Sequence, residues 1–417
     1  MNDTTLRDYP SSQAAASTAR GLGWALALVM VSFNLRPPFS NLAPVLPEVV
    51  RGASLSGLEA NVLAMMPVLC LGVFGFIAPR LAGRFGTERT IFLALLTLAA
   101  GNLLRGLAAF PPLLLGTIAA GAAIGVAGVL MPTLIKRDFA RNASLVTGIY
   151  TMTMSIGAAS GAGTTAPLSQ IFGSWQIALA IWAAPVVLAV LIWLPYLRQT
   201  PSSGNTPQPV TRYRIGKLWR NALAWQVTLY MGLQGAISFI VFSWLAPLLR
   251  DRGIDPVTAG ILVSVTMLVQ ISTALAAPVI ASRRRSQGSS VAIAMVTTLI
   301  GFLCCLYAPL QLVWLWTALL GLGLGACFSL GLTLIVLRSA DAKVSVGLSS
   351  MAQSVGYIIS ASGPLFAGLF RDWTGSWSAA GWLVIVIGML AIAVGLFAGR
   401  ALEVTSEGST EVQQKQA

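Results

Sequence analysis

Of the 417 residues, 56% are hydrophobic and 9% are charged, and the mean hydropathy is +0.79. Soluble domains carry roughly a quarter of their residues as charges, so this composition excludes a water-soluble fold and the functions that depend on one. The formal net charge of +13 calls for no nucleic-acid partner, because positive charge gathers beside anionic lipid around membrane spans.

The chain opens with "MNDTTLRDYPSSQAAASTAR", whose mix of Ser, Thr, Asp and Arg predicts a short disordered tail over 1-21. The apolar run after it is too long for a cleaved signal peptide. Runs of about 17 to 25 apolar residues then predict spans at 22-46, 57-79, 90-109, 112-134, 145-169, 175-197, 223-249, 257-281, 290-309, 311-336, 345-369 and 379-399. Backbone groups in lipid must be satisfied within a segment, and no run alternates like a porin strand. The expected fold is therefore all-α integral membrane, with twelve transmembrane helices.

The first run holds "NLRPPFS", residues 34 to 40. Arg36 sits near the midplane, roughly 20 Å along a helix from the start of the run. A charge there costs about 2.5 to 3.5 kcal/mol, and no Asp, Glu or His lies at comparable depth to pair with it. Pro37 and Pro38 break the helical ladder, which frees carbonyls and makes this pair a candidate hinge. Arg36 could bond those carbonyls, snorkel to an interface that is rather distant, or anchor an anionic or strongly dipolar solute. The third reading is preferred, since discontinuous helices at the midplane form the binding sites of secondary transporters.

Other polar and aromatic groups at similar depth complete a candidate substrate pocket. Asn34 lies two residues from Arg36, about 200° round a regular helix, so only a local break lets both face one cavity. Tyr150 with Met154 on the fifth run, and Gln353 with Tyr357 on the eleventh, are i, i+4 pairs at nearly corresponding places in the sequence. Gln234 and Ser238 are one turn apart on the seventh run, with Trp244 further out as an apolar wall or gate. The competing reading for each is an interhelical hydrogen bond.

Energy coupling leaves little trace. Glu48 and Glu59 are the nearest acids to the first two spans and are expected to be solvated, so no carboxylate or histidine titrates at depth. Facilitated diffusion, exchange and symport with the proton carried on the substrate all remain open. Cys70, Cys304, Cys305 and Cys327 lie in apolar runs without C-x-x-C spacing, and the chain has no histidine, so no metal or cofactor is expected. The glycines of "GTIAAGAAIGVAG" in the fourth run and "GLGLGACFSLG" in the tenth permit close helix contact. Lying within spans, they form no phosphate loop, and neither a Walker motif nor a Rossmann fingerprint points to ATP use or to an enzyme.

The longest polar interruption, "RQTPSSGNTPQPVTRYRIGKLWR", divides six runs from six. "APRLAGR" at 78-84 recurs as "APVIASR" at 277-283, and Gly148, Met152, Ser155 and Gly157 recur as Gly347, Met351, Ser354 and Gly356. The expected domains are a six-helix half over 22-197, a linker over 198-222, a second half over 223-399 and a tail over 400-417 that reads as a solvated end. Of the 26 Lys and Arg residues, 20 fall on the side of the termini, which predicts that both termini are cytoplasmic. The other side holds Arg51, Arg105, Arg250, Arg252 and Arg371, leaving Arg36 as the charge expected inside a span.

This layout resembles the major facilitator superfamily. "APRLAGRFGTERT" is similar to its loop between the second and third helices, with Leu81, Ala82, Arg84, Phe85, Gly86 and Arg89 in place, although Pro79 replaces the usual Gly and Gly83 the usual Asp. "FNLRPPFSNLAPVLPEV" and "LQGAISFIVFSWLAPLL" further resemble the cyanate permease and nitroimidazole transporter family, which carries Asn-x-Arg-Pro in the first helix and Leu-Gln…Trp-Leu-Pro in the seventh. Ala43 stands where that family has Gly, and Ala246-Pro247 follows Trp244-Leu245. The resemblance implies a transporter of a small anionic or polar solute; the compact loops fit the inner membrane of a bacterium, and a monomer is expected. A drug or metabolite efflux carrier with an apolar pocket is the alternative, and a membrane receptor without transport is a third reading.

Overall fold

The computed structural model describes residues 11–139, 142–198, 218–284, 286–405 and 410–412. Each expected span is helical. In chain order the spans are Ser11–Asn34 with its broken continuation, Gly57–Gly75, Thr87–Leu104, Phe110–Asp138, Ala143–Ile171, and Trp175–Ala180 with Ala183–Trp193. The second six are Ala222–Asp251, Pro256–Ser282, Gly288–Tyr307, Val313–Leu337, Ala342–Thr374 and Trp377–Ala398. Eight of these described helices or helix pairs are long and apolar enough to cross a membrane on length and composition alone. The first span is broken after Asn34, and the third carries charge in its first turn at Glu88 and Arg89. Gly, Ser and Thr dilute the fifth and eleventh.

Polar residues set the starts. Ser56 and Glu59 form a reciprocal capping box on the second span. Asn221, Asp255, Asp341 and Ser376 cap the seventh, eighth, eleventh and twelfth by accepting backbone N–H bonds.

Contacts repeat with the sequence. The first span packs on the fifth and sixth, the second on the fourth, and the third on the fourth and sixth; the same pairs recur six spans later. Across the halves, the second span meets the eleventh and the fifth meets the eighth. Glycine sets the distance at equivalent places: a Cβ on Gly121 would lie 3.0 Å from Pro67 Cα, and one on Gly321 would lie 2.5 Å from Thr266 O. The expected close contacts of the fourth and tenth spans are thus made against the second and eighth.

The first described helix starts, and the last span ends at Ala398, at one end of the bundle, here the terminal end; the opposite is the far end. Several details differ from expectation. The first helix begins at Ser11, inside the stretch expected to be a disordered tail. "APRLAGR" is a short helix, Ala78–Phe85, closed by Gly86 at φ 86°, a conformation that favours glycine. The C-terminal tail is not a featureless end: Leu402–Val404 pairs antiparallel with Thr410–Val412, and Val404 is fully buried. It is held there because Val404 exchanges backbone hydrogen bonds with Arg338 and Ala340. Most of the 198-222 linker, residues 199–217, lies outside the described residues.

Arg105, expected in an exposed loop, is 1% exposed. The third helix ends at Leu104, and the Arg105 stem turns inward over Gly116, whose missing side chain leaves it room. Arg105 and Arg338 are thus the arginines buried among the described helices, whereas Arg36 is partly exposed.

Candidate functional site

The centre of the bundle is organised by the break in the first span. Helical hydrogen bonding stops at Asn34, Leu35 and Arg36 lie outside a helix, and a single turn, Pro37–Ser40, restarts with prolines at its first two positions. Prolines suit a helix start because the N–H groups they lack would have no partner there. A 3-10 turn, Ala43–Val45, and a last short helix, Leu46–Gly52, carry the chain to the far end.

The fifth span holds this irregular segment closely. A Cβ on Gly157 would collide with the Phe33 carbonyl, and one on Gly161 would lie 2.6 Å from Ser40 Oγ and 3.1 Å from Pro37 Cα. Ser40 donates to the Ala158 carbonyl at 2.7 Å, so a side chain of the broken segment bonds the intact helix beside it. The sixth span is itself interrupted at Ile181–Trp182. There Phe33 stacks on Trp182 at 6.5 Å, and the indole N–H of Trp182 donates to Thr165 at 3.0 Å.

Arg36 is partly exposed, and its guanidinium makes no hydrogen bond or ion pair to another described residue. The carbonyls near the break are used otherwise: the Arg36 carbonyl accepts from Phe39 N–H, and the Pro37 carbonyl accepts from Asn41 N–H and Ser40 Oγ. Arg36 is close enough to act electrostatically on the phenols of both Tyr150 and Tyr357. The charge on the first span thus reaches phenols of the fifth and eleventh, and the guanidinium is left with donors unused by the described residues.

Aromatic rings adjoin it. Phe239 of the seventh span stands edge-on to Tyr357 at 6.3 Å and to Phe242 at 5.8 Å, and lies 5.8 Å from Phe39. Beyond Phe39 and Phe239, toward the far end, is a small cavity between the first, second and seventh spans, lined by Pro38, Leu42, Leu63, Pro67, Val68 and Ser243, among others.

The remaining candidates are more dispersed. Asn34 is 1% exposed and donates to the carbonyls of Met30 at 2.7 Å and Pro185 at 3.0 Å, so its side chain is turned to the sixth span. Met154 is partly buried against the core. Gln234 donates to the Met231 carbonyl at 3.2 Å, and its own carbonyl oxygen is buried with no hydrogen-bond partner among the described residues. Ser238 donates to the Gln234 backbone carbonyl at 3.0 Å. Gln353 donates to Ser349 Oγ at 2.8 Å. Trp244 is fixed by an indole bond to the Pro364 carbonyl at 2.8 Å and by contact with Trp377 at 5.7 Å.

The sequence reading missed the far-end polar cluster and the Phe39–Phe239 pair. Glu48, expected to be solvated, accepts both guanidinium nitrogens of Arg250, at 2.5 and 2.7 Å, and Arg250 also donates to the Pro44 carbonyl at 2.7 Å. These contacts join the halves. Arg371 bonds Asp251 at 2.9 Å, while Asn61 reaches across from the second span to Asp372 at 2.8 Å. Burial opposes ionisation of Glu48, but the hydrogen bond and charge of Arg250 outweigh it and hold the carboxyl below its ordinary value of 4.5. Glu59, by contrast, is a capping residue at the surface. Phe39 stands three residues after Arg36, directly past the proline pair, and that position was the available signal.

Among the described residues, the hydrogen bonds between halves run from Arg250 to Pro44 and Glu48, Asn61 to Asp372, Ser243 to Ala64, and Ser264 to Ala159. They lie between the middle of the bundle and the far end.

Known proteins place this architecture. A family model described as Major Facilitator Superfamily matches residues 24–361. The chain is 35% identical over 378 residues to the uncharacterized transporter YycB of Bacillus subtilis, covering 89% of this chain and 92% of that one. It is 33% identical over 377 residues to the 2-nitroimidazole transporter of Escherichia coli, covering 90% and 95% of the two chains. Identity to the cyanate transport protein CynX of Escherichia coli is 30% over 354 residues, covering 84% and 91%. Among solved structures, a bacterial homolog of the human lysosomal transporter Spinster superposes with a TM-score of 0.75 at 16% identity, covering 90% of this chain and 96% of that one. Twelve helices in two repeating sets, a broken first span and relatives matched over nearly their whole length converge on one conclusion: the chain belongs to the major facilitator superfamily of membrane transporters.

Proposed function

We propose that this transporter moves a small anionic or polar solute by alternating access, with Arg36 as the substrate anchor. The observation that carries the reading is a guanidinium at the break of the first span with no counterion among the described residues, its charge reaching the phenols of Tyr150 and Tyr357. A charge at that depth is costly unless something pairs with it. A solute carrying negative charge or a strong dipole would supply the pair, and the two phenols would add hydrogen-bond donors. The names of two relatives, a 2-nitroimidazole transporter and a cyanate transport protein, fit a small polar solute.

In this reading residues 22-197 rock against 223-399 around the site, with Pro37 and Pro38 as the hinge. The lysines and arginines of the terminal end make it the cytoplasmic face, so both termini face the cytoplasm of a bacterial inner membrane. The far-end bonds between the halves then hold the outer face closed, and the protein works as a monomer. Gln234, Ser238, Gln353 and Met154 are proposed as outer parts of the pocket. The packing of Asn34 and Trp244 instead favours braces that hold it in shape.

Uptake of labelled cyanate and of 2-nitroimidazole into proteoliposomes tests this, with wild type and Arg36→Ala compared with and without a pH gradient. Wild type is expected to take up at least one of the two, and a folded, inserted Arg36→Ala to lose at least about 1.4 kcal/mol of binding, a tenfold effect. Equal uptake by the two proteins would return Arg36 to a structural role and favour the efflux carrier with an apolar pocket.

A further inference from the structure

Arg36 is only one side of its surroundings. Phe39, Phe239 and Tyr357 come from the first, seventh and eleventh spans, and their ring centroids are linked at 5.8 and 6.3 Å. Tyr357 links the two: its phenol lies within reach of the Arg36 charge, and its ring is in edge-on contact with Phe239. A charged anchor and an aromatic wall therefore share one residue. The small cavity past the wall continues in hydrocarbon side chains, Pro38, Leu42 and Val68 among them, with Ser243 as a hydroxyl on its rim.

We infer that the preferred solute is a monoanion with a flat aromatic body, its charge on Arg36 and its ring against Phe39, Phe239 and Tyr357. The inference rests on the reading of Arg36 as anchor and narrows the solute class. A triatomic anion would neutralise the guanidinium but leave the aromatic wall without a partner, and apolar surface lowers the local dielectric without solvating the rest of the ion. A neutral ring would fill the wall and leave Arg36 unpaired at depth. An arylcarboxylate meets both demands. Its carboxylate can take two guanidinium N–H groups side by side and accept from the phenols of Tyr150 and Tyr357. Its ring can adopt the offset or edge-on contacts that aromatic pairs favour, worth about 0.5 to 1.5 kcal/mol beyond area burial.

Four probes separate the contributions in equilibrium binding to the purified full chain. Benzoate carries charge and ring, cyclohexanecarboxylate carries charge with a puckered body, benzamide carries the ring without charge, and cyanate carries charge without a ring. Wild type is expected to bind benzoate tightest and benzamide at least about tenfold more weakly. Phe239→Leu should weaken benzoate about two- to tenfold, the range that ring contacts of this strength give, while leaving cyanate unchanged. Arg36→Gln should lose benzoate and cyanate alike. Thermal unfolding of each variant shows that it is folded.

If benzoate binds no better than cyclohexanecarboxylate or cyanate, or Phe239→Leu weakens all anions equally, the aromatic inference is overturned while Arg36 remains the anchor. Should folded Arg36→Gln retain benzoate, the anchor itself fails and both readings fall. Failure of folded wild type to bind any of the three anions has the same result.

Discussion

At the scale of single residues, the absence of a side chain matters as much as the charge of Arg36. Gly157 admits the Phe33 carbonyl, and Gly161 admits Pro37 and Ser40, so the fifth span can lie against backbone that is leaving helical form. Gly157→Ala puts a methyl onto that carbonyl and is expected to destabilise the protein by about 1 to 3 kcal/mol, the usual cost of overpacking. Gly148, about two and a half turns earlier with nothing within 4 Å of its would-be Cβ, is the control, and Gly148→Ala should be neutral or slightly stabilising in a helix. Thermal unfolding of the two variants in detergent checks the contrast; an equal effect would refute the close approach. Arg36 was legible in the sequence because a midplane charge is rare and has a known cost. Phe39 and Phe239 were not, because a phenylalanine in an apolar span looks the same whether it faces lipid, a neighbouring helix or a cavity. Glu48 and Arg250 were each visible, but 202 residues separate them, and only the fold brings them together.

At the scale of elements, the first span shows what a proline pair does to a long apolar run. Its far-end part does not continue the helix that ends at Asn34 but proceeds as one turn, a 3-10 turn and a last short helix. The twelve apolar runs located every described span because length and hydropathy are local properties. Their ends and interruptions depended on local hydrogen bonding that composition does not report, as the break at Ile181–Trp182 in the sixth span shows. Asn34 illustrates the same limit: the 200° rule placed it opposite Arg36, the break falls just after it, and its side-chain amide donates to the carbonyls of Met30 and Pro185. Replacing both prolines, Pro37→Ala with Pro38→Ala, restores two N–H donors and a better helix former. The double variant is expected to unfold at the same or a higher temperature while uptake falls about tenfold or more. Unchanged uptake would show that the break is a passive feature of the fold.

Across the whole molecule, the polar bonds between halves are unevenly distributed, and that asymmetry has a measurable consequence. Glu48 with Arg250 and Asn61 with Asp372 tie the far end, and among the described residues no hydrogen bond between halves lies at the terminal end. Opening the far end requires these bonds to break. Hydrogen bonds to charged groups contribute about 1.5 to 3 kcal/mol each, so removing one partner should shift the balance toward a far-end-open form by about tenfold or more. Ser243→Cys, on the wall of the small cavity behind the latch, would report this in a background with the four native cysteines replaced. A membrane-impermeant thiol reagent applied from the far side should label it slowly in the otherwise native protein, and about tenfold faster when Glu48→Gln is added. The pH dependence follows from the depressed carboxyl of Glu48. Its ionised form is favoured in the latched state, so the latch is at full strength above about pH 4.5 and weakens as pH falls through the lower value held by Arg250. Divided at each pH by the rate in the Glu48→Gln variant, which cancels the fall in thiolate fraction, the labelling rate should therefore be flat from pH 8 to about 5 and rise only in stronger acid. A rise centred near neutral pH would mean that another group titrates the closure, and the Glu48–Arg250 bond would then not be the one that governs it.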